Sequence, residues 1–145
     1  MRELLCGEVY ELEPCLRELA EHHNSVSVHF AGAYPKKPFR ETLQSFEEDI
    51  RSGKSRIAVI DSENRIAGFC KTDICRGQGK IDYLIVAKEY RGKGYGDMMM
   101  NWAMNLFRQC GIEQVEVKVA DGNSAVGFYE KHGFRMNAHI LRTNL

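Results

Sequence analysis

Arg91, Gly92, Lys93, Gly94 and Gly96 form a short basic turn between an apolar run that ends at Val86 and a helical pattern running from Asp97 to Cys110. The chemistry open to such a turn is anion binding. Its glycines let the backbone bend tightly, and successive amides at the start of the helix converge on one spot. There the helix dipole favours a phosphate or pyrophosphate. Arg91 and Lys93 add positive charge.

Spacing separates the phosphate cradles that this turn can be. A P-loop needs Ser or Thr directly after its lysine, and Lys93 is followed by Gly94. A dinucleotide turn needs Gly-x-Gly-x-x-Gly and an acidic residue roughly 20 positions on. Here the glycines read Gly-x-Gly-x-Gly, with Glu116 and Asp121 in the following strand region, so that reading stays open. The best fit is Arg/Gln-x-x-Gly-x-Gly/Ala after a strand, filled by Arg91, Gly94 and Gly96. At these residues the chain resembles the GNAT superfamily of acyl-CoA-dependent N-acetyltransferases.

A basic glycine loop alone is often a plain connection, so the downstream sequence carries weight. Val115 to Val119 alternate as a strand does, and a short helix with Asn123, Ala125, Phe128 and Tyr129 stops at Gly133. The segment from Asn123 to Phe134 is similar to a second GNAT signature, an Asn and a Tyr on a helix followed by Gly-Phe. The resemblance is specific from about Ile57 to Phe134. It implies that Arg91, Gly92, Lys93, Gly94, Tyr95, Gly96 and Asp97 hold the pyrophosphate of coenzyme A. It also implies that the backbone of Leu84, Ile85 and Val86, freed by a strand bulge, meets the thioester and pantetheine arm.

The same resemblance implies a reaction: direct transfer of an acetyl group from acetyl-CoA to a primary amine of a small molecule or peptide, in a ternary complex. The attacking nitrogen must be neutral, although a lysine-like amine has a reference pKa near ~10.4. Two strand carboxylates are candidate bases, Asp82, placed by period two on the face of Leu84 and Val86, and Glu116. Tyr129 matches the tyrosine that meets the departing thiolate; proton transfer from a phenol at ~10 to a thiolate at ~8.5 is uphill by about 2 kcal/mol. Asn123 stands six residues before Tyr129 instead of the usual seven, so it serves either as a cofactor contact or as a helix cap. His29, Phe30 and Tyr34 lie in the segment that walls the acceptor cleft in relatives. Two other classes stay in view: a coenzyme A-binding sensor without turnover, and a nucleotide-binding module using the same turn.

The elements needed to position these groups are readable. The 145 residues suffice for one domain spanning 1–145. Leu4 to Leu12 reads as a strand, and helices follow from Pro14 to about His23 and from Arg40 to Ser52. A hairpin joins Arg56–Ile60 to Ile66–Ile74, and a further strand runs from Lys80 to Val86. Helix, strand and helix then alternate, with parallel pairing across the long helix. The fold class is therefore α/β, a mixed, mostly antiparallel sheet flanked by helices. Compared with the GNAT fold its C-terminal end is shortened, since only Arg135 to Leu145 remain for two further strands. An uncovered edge there predicts a homodimer.

Composition bounds the function. Charges balance at 20 basic and 20 acidic residues, which argues against nucleic acid as a partner. No apolar run approaches the ~20 residues of a membrane span, and Met1 to Glu11 lacks a signal-peptide core, so a cytoplasmic protein with no membrane partner is expected. The five cysteines show no Cys-x-x-Cys spacing and read as reduced thiols, and no His-x-x-x-His pair suggests a metal.

Overall fold

The computed structural model describes residues 1–120 and 122–145; Asp121, weighed above as a ribose partner, lies outside the described residues. Five strands form one sheet in the order β1 (Arg2–Glu3), β2 (Ser55–Ser62), β3 (Arg65–Cys75), β4 (Gln78–Val86) and β5 (Val115–Val117). Neighbours are antiparallel except β4 and β5, which pair in parallel across a long connecting helix. Helices α1 (Glu13–Val26) and α2 (Phe39–Arg51) cover one face; α3 (Tyr95–Gln109) and α4 (Val126–Lys131) cover the other.

Period-two alternation splits the core between the two faces. Ile57, Val59, Phe69 and Ile85 pack with Leu12, Leu16, Leu43 and Phe46 on the α1/α2 side. Ile60, Cys70 and Ile81 pack with Met99, Met100, Phe107 and Tyr129 on the α3/α4 side. Met99 and Met100 are thus sheet-facing filler, Met104 packs at the edge of that cluster, and Met98 is exposed.

Two elements differ from the sequence reading. Leu4 to Leu12 is not a strand; the first strand is Arg2–Glu3, just before it, and Cys6–Leu12 is a 3-10 helix that buries Val9 and Leu12. Burying those two side chains on one side while leaving their neighbours in water suits a period near three as well as one near two, so alternation misled there. At the other end, residues 134–145 carry no helix or strand.

The bulge in β4 is the feature with most consequence. Lys71 pairs with Tyr83 but Thr72 pairs with Ile81, so Asp82 is the extra residue. Ile81 and Leu84 therefore pack on the α3/α4 side, while Asp82 and Tyr83 both turn to the α1/α2 side. There the Asp82 carboxylate accepts a 2.8 Å hydrogen bond from Nζ of Lys71, which also lies 2.7 Å from Asp73 and 3.1 Å from Asp49. Lys71 is only 1 % exposed, and Ser55 Oγ donates to Asp73 at 2.5 Å, so this is a buried, fully partnered ion cluster.

Candidate functional site

Beyond Ile81, β4 has no partner on the β5 side among the described residues, because β5 pairs only with Gly79, Lys80 and Ile81. The two parallel strands diverge, and Leu84, Ile85 and Val86 pair with no strand but β3 among the described residues. Their outward main-chain groups face a cleft of about 380 Å³. It is bounded by α1 residues Leu19 and His22, the glycine turn, and the segment from Asn123 to Tyr129.

Arg91 folds back across the strand end, its Nε donating to the Val86 carbonyl at 3.1 Å. Gly94 stands at φ +81°, a left-handed conformation costing a side-chain-bearing residue about 1–2 kcal/mol. The first α3 hydrogen bond from this start runs from the Met98 amide to the Gly94 carbonyl. The amides of Tyr95, Gly96 and Asp97 therefore have no helical acceptor and point out of the helix start. A Cβ on Gly96 would sit 3.3 Å from the Phe128 ring, so this glycine lets α4 close on the turn. The Asp97 carboxylate bonds His132 at 2.8 Å and Lys131 at 3.0 Å, tying α3 to α4. Those two donors hold it below the usual carboxylate range.

Tyr129 is 8 % exposed, and burial, with Cys70 nearby, pushes its hydroxyl up to about 12. Full proton transfer from such a phenol to a thiolate at ~8.5 is uphill by about 5 kcal/mol, more than the ~2 kcal/mol of an ordinary tyrosine. Its first service to a departing sulfur is thus a hydrogen bond. Asn123 also lines the cleft, and its Oδ1 accepts from the Ala125 amide at 2.9 Å. It therefore shapes the entry to α4 as well as facing the cleft.

Several sequence candidates are placed elsewhere. Asp82 is not on the face of Leu84 and Val86, because the bulge reverses it into the Lys71 cluster. Burial raises its carboxyl, but attraction from Lys71 and then Lys80 outweighs this and holds it below the ordinary range. Glu116 is exposed on β5, opposite Lys80 in the register, and does not line the cleft. Lys93 lies with Nζ 5.3 Å from the Tyr90 ring centre. His29, Phe30 and Tyr34 lie in the irregular 27–38 segment between α1 and α2, outside the cleft lining. That segment is pinned from α1. Asn24 Oδ1 accepts from the Gly32 and Tyr34 amides at 2.8 and 3.0 Å, its Nδ2 donates to the Tyr34 carbonyl at 2.7 Å, and His23 meets the Tyr34 ring edge-on.

Sequence reasoning missed Leu19, His22, Tyr90, Phe128 and Lys131, all of which line the cleft. Lys131 and Phe128 fall inside the second motif and were reachable; Leu19 and His22 depend on how α1 docks. A larger hollow of about 870 Å³ opens beside the β2–β3 turn. Its basic residues are already paired, Arg2 with Glu8, Glu11 and Asp61 and Arg65 with Glu89, and no glycine turn reaches it, so it is not the candidate site. Among the described residues no helix is long and apolar enough to cross a membrane.

The site is a free strand edge leading into an open helix N-terminus, a geometry able to take an extended molecule that carries phosphate, and comparison with known proteins gives the class. An acetyltransferase (GNAT) domain model matches residues 19–143, and the chain belongs to that family. It is 32 % identical over 89 residues to N-alpha-acetyltransferase 30 of Schizosaccharomyces pombe, covering 58 % of this chain and 59 % of that protein. It is 24 % identical over 91 residues to a putative [ribosomal protein bS18]-alanine N-acetyltransferase of Bacillus subtilis, covering 62 % and 60 %. The chain thus spans about three fifths of the length of the curated relatives it matches. The fold matches the PaiA N-acetyltransferase of Thermoplasma acidophilum in complex with coenzyme A, with TM-score 0.77 and 18 % identity, over 94 % of this chain and 92 % of that one. A predicted acetyltransferase of Clostridium acetobutylicum with acetyl-CoA matches at TM-score 0.76 and 15 % identity, over 99 % and 94 %.

Proposed function

We propose that this protein transfers the acetyl group of acetyl-CoA to a primary amine, directly and in a ternary complex. The observation that carries the reading is the cleft itself, which joins an unpaired strand edge, an open helix N-terminus and a buried tyrosine hydroxyl. The turn amides and Arg91 would hold the pyrophosphate, and Leu84 to Val86 would offer main-chain groups to the pantetheine arm and the thioester oxygen. Tyr129 would meet the sulfur. The thioester supplies the activated acetyl group; the chain supplies alignment and charge stabilisation.

For the acceptor, a peptide α-amine is the favoured class. One curated relative is named an N-alpha-acetyltransferase and the other a putative ribosomal-protein alanine N-acetyltransferase, and the electrostatics agree. At pH 7.5 about a third of an α-amine at ~7.8 is already neutral, against about 0.1 % of a lysine side chain. A cleft that both strand carboxylates miss suits the easier deprotonation. The segment around Phe30 and Tyr34, pinned by Asn24, lies next along the chain and would bear on acceptor choice. We place the activity in the cytoplasm, where its five free thiols would stay reduced. A second copy over the β5 edge is the partner proposed for that uncovered strand.

The test is a thiol-release assay with acetyl-CoA and a panel of short peptides, free amino acids and polyamines, with products identified by mass. Acetylated peptide α-amines support the reading. Turnover confined to polyamines or lysine side chains would replace the acceptor class.

A further inference from the structure

We infer that His22 is the base that takes a proton from the incoming amine. This rests on the acetyl-transfer reading above. Of the titratable groups lining the cleft, Arg91 and Lys131 are donors, and Tyr90, Tyr95 and Tyr129 are phenols, whose hydroxyls offer a proton and are poor bases. The Asp97 carboxylate is engaged by Lys131 and His132 beside the glycine turn. His22 remains, and imidazole is the side chain suited to exchanging protons near neutrality.

Position agrees with this. Glu18, one turn earlier on α1, accepts a hydrogen bond from the Lys88 amide just past the end of β4. His22, one turn further along α1, lines the same cleft as Leu84, Ile85 and Val86. Five residues further on begins the segment holding Phe30 and Tyr34, so His22 is close along the chain to the segment proposed to bear on acceptor choice. Its neighbour His23 faces the other way, against Tyr34, with its ring centre 6.2 Å from that of His22. Burial first, then His22 and Lys36, keep His23 neutral more readily than an ordinary histidine.

The proton balance closes. The acceptor ammonium gives one proton to the His22 ring, and its lone pair forms the N–C bond at the thioester carbonyl. The carbonyl π pair moves to oxygen, facing the β4 backbone. Collapse breaks the C–S bond while Tyr129 hydrogen-bonds the sulfur, and the Tyr129 hydroxyl passes its proton to the sulfur as it takes one from the nitrogen, so that no tyrosinate forms; His22 releases its proton to water. The products are an amide, a thiol and one proton.

The experiment compares wild type, His22→Gln and His22→Ala across pH 6 to 9.5 with acetyl-CoA and an α-amine peptide, while unfolding with and without coenzyme A reports folding and cofactor binding. The expected result is a coenzyme A-induced rise in Tm equal to wild type, with kcat/KM for the peptide lower by about sevenfold at pH 7, where roughly one in seven α-amines at ~7.8 is neutral without help. The acid limb of the variants should then follow the amine itself, and added imidazole should restore part of the His22→Ala rate. A wild-type rate and profile in His22→Gln overturns the assignment. So does a loss of rate with unchanged profile shape and no imidazole rescue, which marks a structural role. A wild type that binds coenzyme A but acetylates no amine overturns the acetyl-transfer reading, and the base role with it.

Discussion

Lys71→Met removes the cation around which Asp49, Asp73 and Asp82 converge, while keeping most of the volume packed on Phe46. Methionine fills the aliphatic part of the site, so the loss is mainly electrostatic. Taking one partner from a buried ion cluster costs about 3–5 kcal/mol, because carboxylates stay behind without their charge partner. At this chain length about 4 °C of Tm accompanies each kcal/mol, which predicts a fall of roughly 12–20 °C. The sign with pH is also fixed. In wild type Asp82 lies below its unfolded value, so its contribution is present above the ordinary carboxylate range and lost as pH falls through the folded value. Without Lys71 only Lys80, 3.2 Å away, opposes the burial of Asp82, so its folded value rises and the stability it contributes above the carboxylate range shrinks. Melting by circular dichroism should therefore show the gap between variant and wild type narrowing from pH 7 to pH 4. A variant melting within 3 °C of wild type, or a gap constant over that range, would refute the reasoning.

Tyr129→Phe should lower kcat by about 100-fold or more while the KM for acetyl-CoA changes little, measured by thiol release at saturating peptide. Gly94→Ala should cost about 1–2 kcal/mol of stability from its left-handed conformation and raise the KM for acetyl-CoA, read by melting and initial rates. Asn24→Ala removes three hydrogen bonds to the 32–34 segment and should raise the acceptor KM several-fold without moving that for acetyl-CoA. Sedimentation at assay concentration should show a dimer that dissociates when Glu116 or Lys118 on the β5 strand region is replaced by proline.

Much of the fold was legible because its signals are local. The turn from Arg91 to Gly96, the hairpins, the long helix and the parallel β5 all rest on glycine spacing and alternation within a short window. A bulge in β4 was expected from the resemblance, but its position at Asp82 and the cleft position of His22 escaped for one reason: they depend on long-range pairing. The bulge at Asp82 exists because Lys71, eleven residues earlier, draws that carboxylate to its own face, and no period-two count can report a residue that breaks the period. His22 looked like a helix-end histidine because only the docking of α1 beside Leu84 brings it to the cleft. The Leu4 to Leu12 stretch failed for a local reason, since Val9 and Leu12 satisfy a three-residue turn as readily as a strand.

The central claim is that the cleft along β4 and the glycine turn binds the acyl-CoA carrier, and ligand-dependent unfolding tests it directly. At ~100 times its dissociation constant a ligand adds about 2.7 kcal/mol, or roughly 10 °C at this chain length. Acetyl-CoA and coenzyme A should each produce that rise, with ATP and NAD producing little. No rise with either coenzyme A form, or an equal rise with ATP or NAD, would contradict the account.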